Sequence, residues 1–168
     1  MQCRGAPQAP VVIGAGVPIT KAGGAAMRCE EIMKTDVLCA YGNDTVESAA
    51  QTMRDANIGF LPVCAVSGEV LGTITDRDIC IRVAAEDRIA SECRVEEVMT
   101  HEVVACAPSD DIAEAERRMA QHHKSRILVV DQGSKLRGVI SLSDLAQRDS
   151  LRRVAATLRE VASREAHL

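Results

Sequence analysis

From residue 27 onward the apolar positions follow two alternating periods, and the same succession of periods occurs twice. The first pass opens with a short extended piece around Val37-Leu38-Cys39. Val46, Ala49, Ala50 and Met53 then recur at helical spacing and give one buried face. Asp44 stands where an N-cap belongs, with Glu47 three residues on in a capping-box-like pair. Two β-branched runs follow, 60–66 and 70–75, joined through the turn signal Ser67-Gly68. A second helix is predicted from about Asp76, so the unit reads β-α-β-β-α.

The second pass repeats this order at a constant offset of 66 residues, the spacing from Met33 to Met99 and from Gly72 to Gly138. The same shift pairs Val37 with Val103, Asp44 with Asp110, Met53 with Met119, Val63 with Val129 and Asp78 with Asp144. Here the extended piece is Val103-Val104-Ala105, the helix carries Asp110, Ile112, Ala115 and Met119, and the strands are 126–131 and 136–141, joined through Gly133-Ser134. A second helix follows from Leu142. A gap-free register over so long a stretch marks a duplicated supersecondary unit whose copies pack on each other. The expected division is 27–88 for the first repeat and 89–150 for the second.

The flanks differ. Residues 1–26 are rich in Gly, Ala and Pro and are expected to form a flexible tail, because such a composition buries too little apolar surface to offset ordering. Val11-Val12-Ile13-Gly14-Ala15-Gly16 imitates a dinucleotide-binding turn, but Pro18, Ile19 and Gly23-Gly24 deny it the third glycine and the helix. Residues 151–168 predict an amphipathic helix with Leu151, Val154, Leu158 and Val161 on one side and Arg152, Arg153, Arg159 and Arg164 between them. It either packs on its own module or bridges a dimer.

Composition narrows the chemistry. With one Tyr and one Phe the chain has no platform for stacking bases, and a net charge of -4 disfavours a phosphate-backbone binder. Nucleic acid is therefore not the expected partner. No apolar run approaches the roughly 20 residues of a membrane span, and no signal peptide is evident. The seven Cys residues lack a Cys-x-x-Cys pair and several lie in apolar runs, which suggests reduced structural thiols in a reducing cytoplasm. His122 and His123, without Cys or acidic partners at ligand spacing, suit a helix C-terminus rather than a metal.

The stretches with chemical promise are Gly72-Thr73-Ile74-Thr75-Asp76-Arg77-Asp78 and Gly138-Val139-Ile140-Ser141-Leu142-Ser143-Asp144. Each leads from a strand into a helix, with a hydroxyl at the corner and a carboxylate three residues later. Backbone N–H groups at such a corner favour a phosphate, and the carboxylate can accept hydrogen bonds from a ribose diol. Gly72 and Gly138 would let a ring lie close to the backbone. A plainer reading has Thr75 and Ser141 as helix caps with Asp78 and Asp144 complementing the dipoles.

Taken together with Met33-Lys34-Thr35-Asp36-Val37, Val98-Met99-Thr100 and Ile58-Gly59-Phe60-Leu61-Pro62-Val63, these segments make the chain resemble a pair of CBS domains over about residues 28–150. The resemblance implies an α/β (α+β) fold in which two β-α-β-β-α repeats pack with pseudo-twofold symmetry. It implies a non-catalytic regulatory module, with no required cofactor or metal, that binds AMP, ADP, ATP, NAD or S-adenosylmethionine in two clefts. It also implies a homodimer that passes ligand state to a protein target, the alternative being an interaction module with inert clefts. Carried over residue by residue, Asp78 and Asp144 would hold ribose hydroxyls, and Thr75 and Ser141 would contact ribose or phosphate. Asp36, Val37, Glu102 and Val103 would line the base, as would Ile58, Leu61 and Pro62, with Ile127 their second-repeat counterpart. Arg77 is the expected phosphate partner of the first repeat. In the second, Ser143 replaces it and Leu128 replaces Pro62, so Arg126 is the candidate cation and the clefts are expected to be unequal.

Overall fold

The computed structural model describes residues 27–148 and 151–163. The predicted tail 1–26, its glycine-rich imitation and Arg164 lie outside the described residues. In chain order the elements are α1 (Cys29–Ile32), β1 (Ala40–Tyr41), α2 (Val46–Ala56), β2 (Phe60–Cys64), β3 (Val70–Thr75), α3 (Asp76–Arg82), a 3-10 turn (Ala84–Glu86), α4 (Val95–Val98), β4 (Ala105–Cys106), α5 (Ile112–Gln121), β5 (Arg126–Val130), β6 (Leu136–Ser141), α6 (Leu142–Arg148) and α7 (Leu151–Ser163). The β-α-β-β-α order predicted for each repeat is present.

The opening strands are shorter and later than the sequence suggested. β1 begins at Ala40 rather than Val37, and β4 at Ala105 rather than Val103. Only the residues that face β2 or β5 join a ladder, Ala40 opposite Val63 and Ala105 opposite Leu128. Each sheet has three strands, with β2 or β5 central, parallel to the short strand and antiparallel to β3 or β6. β3 alternates buried and half-buried residues, the period of a strand covered on one face.

The helix cap also moved by one residue. Thr45, not Asp44, caps α2 by accepting from the Ser48 N–H, and Asp111, not Asp110, caps α5 by accepting from the Ala113 N–H. Asp44 and Asp110 instead turn back to accept from the N–H groups of Tyr41 and Ala107 at 2.8 and 2.9 Å. They tighten the turn that delivers the chain to the helix. At the far ends Asn57 and His123 adopt left-handed backbone, φ 52° and 51°, and the next N–H returns to Met53 or Met119. This satisfies a terminal carbonyl in each helix.

The chain divides into two compact units, and they do not follow the repeat boundary. Of the described residues, Leu38–Val103 form one, and residues 27–37 with those from Val104 onward form the other. The first is built on Val46, Met53, Leu61, Val63, Ile74, Val95 and Val98. The second is built on Cys29, Ile112, Met119, Ile127, Val129, Ile140 and Leu145. Thus the segment that precedes each repeat in sequence joins the other unit. Lys34 exchanges backbone hydrogen bonds with Val139, while Thr100 does the same with Thr73.

In the second unit α7 lies against α5 and α6. Val154 and Thr157 are buried and Val161 half-buried, whereas Leu158, predicted for the apolar face, is 52% exposed. Spacing of three and seven places Thr157 and Val161 on the face of Val154. His123 adds a bond, its Nδ1 lying 2.7 Å from the Glu160 carbonyl of α7.

Candidate functional site

The two motif segments form strand-to-helix corners of nearly superimposable local chemistry. At β3–α3 the Thr75 Oγ1 accepts from the Asp78 N–H at 3.1 Å, while Asp78 Oδ2 accepts from the Thr75 N–H at 3.0 Å and its hydroxyl at 2.6 Å. At β6–α6 the Ser141 and Asp144 groups repeat each of these bonds. The capping alternative is thus present in both repeats. It occupies one carboxylate oxygen only.

The other oxygen differs between the units. Asp78 Oδ1 faces Arg82 Nη2 at 3.3 Å and the Thr100 hydroxyl at 3.5 Å, and Arg82 also donates to Thr100 and to the Val98 carbonyl. Asp144 Oδ1 faces Lys34 Nζ at 2.9 Å. Burial pushes the Asp144 carboxyl up, but hydrogen bonds from Ser141 and Lys34 together outweigh it and hold the group below the usual Asp range. Both carboxylates are largely covered, with side chains 16% and 10% exposed. Of the groups that cover them, Lys34 is 69% exposed and Arg82 42%.

Lys34 and Thr100 occupy equivalent repeat positions, and sequence reading assigned a role to neither. The signal was a ladder contact between a segment and a strand far apart in the chain, which periodicity does not reveal. Arg82 could have been found, because Asp78 and Arg82 stand four apart on one helix.

The glycines do a different job from the one expected of them. A Cβ on Gly72 would lie 2.7 Å from the Thr100 carbonyl oxygen, and one on Gly138 would lie 2.7 Å from that of Lys34. The space expected to admit a ring is filled by the chain's own backbone, which only glycine lets approach so closely.

The fold sorts the candidate residues into two sets. Ile58, Leu61, Pro62, Thr75, Arg77, Asp78, Glu102 and Val103 belong to the first unit. Asp36, Val37, Arg126, Ile127, Ser141 and Asp144 belong to the second. Within them Leu61, Ile127 and Val103 are buried, whereas Asp36, Ile58, Arg77, Glu102 and Arg126 are exposed. The buried side chains are committed to packing, so recognition by those residues would fall to their backbone. A separate open cavity of about 430 Å³ lies between α2 and α3 and is bordered by Met53, Ile58, Gly59 and Asp76. It includes neither Thr75 nor Asp78.

Among the described residues no helix is long and apolar enough to cross a membrane.

With this geometry in place, comparison with known proteins is informative. A family model described as CBS domain matches residues 29–85 and again 95–151. The CBS domain-containing protein YhcV of Bacillus subtilis is 38% identical over 117 residues, covering 70% of this chain and 81% of YhcV. The crystal structure of Hypoxic Response Protein I with two coordinated zinc ions superposes with a TM-score of 0.68 at 27% identity, covering 74% of this chain and all of that one. The CBS domain pair of protein MJ0100, solved with 5'-methylthioadenosine and S-adenosyl-L-methionine, shares the fold with a TM-score of 0.65 at 23% identity, over 73% of this chain and 94% of that one. The duplicated corner, the two three-stranded sheets and the twofold family match lead to one conclusion: this chain belongs to the CBS-domain family and carries two copies of the domain.

Proposed function

We propose that the chain is a non-catalytic regulator that binds adenosyl ligands, such as AMP, ADP, ATP, NAD or S-adenosylmethionine, at its two Gly-x-x-[Ser/Thr]-x-x-Asp corners. The observation that carries this reading is the divided carboxylate. In each corner Oδ2 is fixed by the strand-end hydroxyl and N–H, while Oδ1 is held by side chains that can be exchanged. A ribose diol supplies two O–H donors to such an oxygen, and preorganisation lowers the cost of binding. The adenosyl ligands named with the MJ0100 domain pair are of this chemical class.

In this reading Asp78 and Asp144 take ribose hydroxyls, and Thr75 and Ser141 lie beside ribose or phosphate. Asp36 and Val37 line the base at the Ser141–Asp144 corner, and Glu102 and Val103 do so at the Thr75–Asp78 corner. Ile58, Leu61 and Pro62 complete the Thr75–Asp78 site, with Ile127 at the other, and Arg77 and Arg126 meet phosphate. The protein works as a cytoplasmic homodimer and passes ligand state to a protein target.

Calorimetric titration of nucleotide-free protein with AMP, ATP, NAD and S-adenosylmethionine tests the proposal. Asp78→Asn and Asp144→Asn should each weaken binding at their own corner by ~1–3 kcal/mol, about 5- to 150-fold. Binding that survives both substitutions undiminished, or no heat with any of the four ligands, would overturn it.

A further inference from the structure

One repeat position sets a different group beside each motif carboxylate. Lys34 and Thr100 stand 66 residues apart, and each exchanges two backbone hydrogen bonds with the strand that leads into its corner, Lys34 with Val139 at 2.9 and 3.0 Å and Thr100 with Thr73 at 2.8 and 2.9 Å. The roots of the two side chains are therefore fixed alike. What they carry is not alike: an ammonium 2.9 Å from Asp144 Oδ1, against a hydroxyl 3.5 Å from Asp78 Oδ1. Each carboxylate also has an arginine four residues on in sequence, Arg82 and Arg148, so that position does not distinguish the copies. Ser143, however, takes from the second corner the cation that Arg77 offers the first.

We propose that Lys34 makes the Ser141–Asp144 corner selective for adenosine 5'-phosphates over adenosyl ligands that are neutral or cationic at the 5' carbon. This rests on the reading that Asp144 takes a ribose diol. The Lys34 ammonium occupies the oxygen that the diol needs, so binding there begins with its displacement. Asp144 is 10% exposed and Lys34 69%, so the lysine is the member that moves, swinging on its four-carbon stem about a root held by Val139.

The 5' substituent then decides the balance. A ligand neutral at that carbon takes Oδ1 and leaves the ammonium to water, giving up a charge-assisted contact. A 5'-phosphate on the same sugar pairs with the displaced ammonium, so one ion pair is exchanged for another. A sulfonium at that place is repelled. At the other corner a diol displaces only the Thr100 hydroxyl, at the long end of hydrogen-bond distance, and Arg82 keeps the Val98 carbonyl and the Thr100 oxygen as acceptors. No cation is set loose there.

The test titrates AMP, adenosine and S-adenosylmethionine calorimetrically into the Asp78→Asn chain, in which the second corner carries the measurable binding, with Lys34 kept or combined with Lys34→Thr or Lys34→Arg. With Lys34 kept, AMP should bind more tightly than either other ligand. Lys34→Thr should reduce the ratio of AMP to adenosine affinity about fivefold, the size of one exposed ion pair, by weakening AMP while sparing or tightening adenosine. Lys34→Arg should preserve the ratio, and added salt should erode it more in the Lys34→Arg chain than in the Lys34→Thr chain. A merely structural lysine would lower all three affinities together. That outcome, an unchanged ratio in Lys34→Thr, or AMP no tighter than adenosine with Lys34 in place overturns the proposal. If wild type binds AMP but the Asp78→Asn chain binds none of the three, the proposal falls while the adenosyl reading stands at the first corner. A wild-type chain that binds none of them overturns that reading, and this inference with it.

Discussion

The two units carry one backbone plan with different polar equipment. In the first unit the helix after the opening strand holds Thr52, whose hydroxyl merely donates to the Ser48 carbonyl. At the equivalent place the second unit has Arg118, 4% exposed, donating to Glu114 at 2.7 Å and to the Ala105 carbonyl, with Asp110 at 3.8 Å. Arg117 and Arg118 together hold the Glu114 carboxyl down to about 2. The same divergence recurs at the corners, where Arg82 and Thr100 attend Asp78 but Lys34 attends Asp144. A shared apolar pattern therefore fixes the fold, and the charged groups laid over it give the two corners different polar neighbours.

The largest effect should come from the buried guanidinium. Arg118→Met removes the charge that Asp110 and Glu114 share and leaves the Ala105 carbonyl without this donor, so it should cost ~3 kcal/mol, whereas Thr52→Ala should stay within ~0.5 kcal/mol. Urea unfolding of the two variants measures both. Equal losses would mean that the buried ion network contributes nothing beyond packing.

Next in size are the glycines at the crossing of linker and strand. Alanine at Gly138 would press on the Lys34 carbonyl and on Met33 Cγ and Sδ at 2.9 Å; at Gly72 it would meet the Thr100 carbonyl and Met99 Sδ at 3.1 Å. Each should destabilise by ~1–3 kcal/mol, because a backbone neighbour cannot yield as a side chain can, and Gly138→Ala the more, because Met33 stands closer to Gly138 than Met99 does to Gly72. Gly133→Ala, whose nearest contact is the Asp131 carboxylate at 3.4 Å, is the control and should melt close to wild type. A Gly138→Ala protein as stable as that control would show that the linker segment moves aside freely.

The smallest effect sharpens the contrast between the corners. Lys34→Thr gives Asp144 the hydroxyl neighbour that Asp78 has, and, with Lys34 so exposed, it should cost no more than ~1 kcal/mol at pH 7. Because the folded-state pKa of Asp144 is depressed, the stabilisation is present above the unfolded Asp value near ~3.9 and is lost as pH falls through the folded value. The difference between wild type and Lys34→Thr should accordingly shrink in acid. A gap that persists unchanged at pH 2 would assign the loss to packing of the lysine stem rather than to its charge.

The sequence by itself determined a good deal here. Helical and alternating spacings located both repeats, the offset of 66 residues identified them as copies, and the paired hydroxyl–carboxylate corners stood out. These are local properties, set by which side chains within a few residues share a face or a turn. Tertiary structure alone decided which unit each linker segment joins, that Gly72 and Gly138 make room for backbone rather than for a ligand ring, and that Lys34 and Thr100 cover the two carboxylates. Such pairings arise when distant segments exchange hydrogen bonds across a sheet edge, and nothing in the spacing of either segment carries the address of its partner.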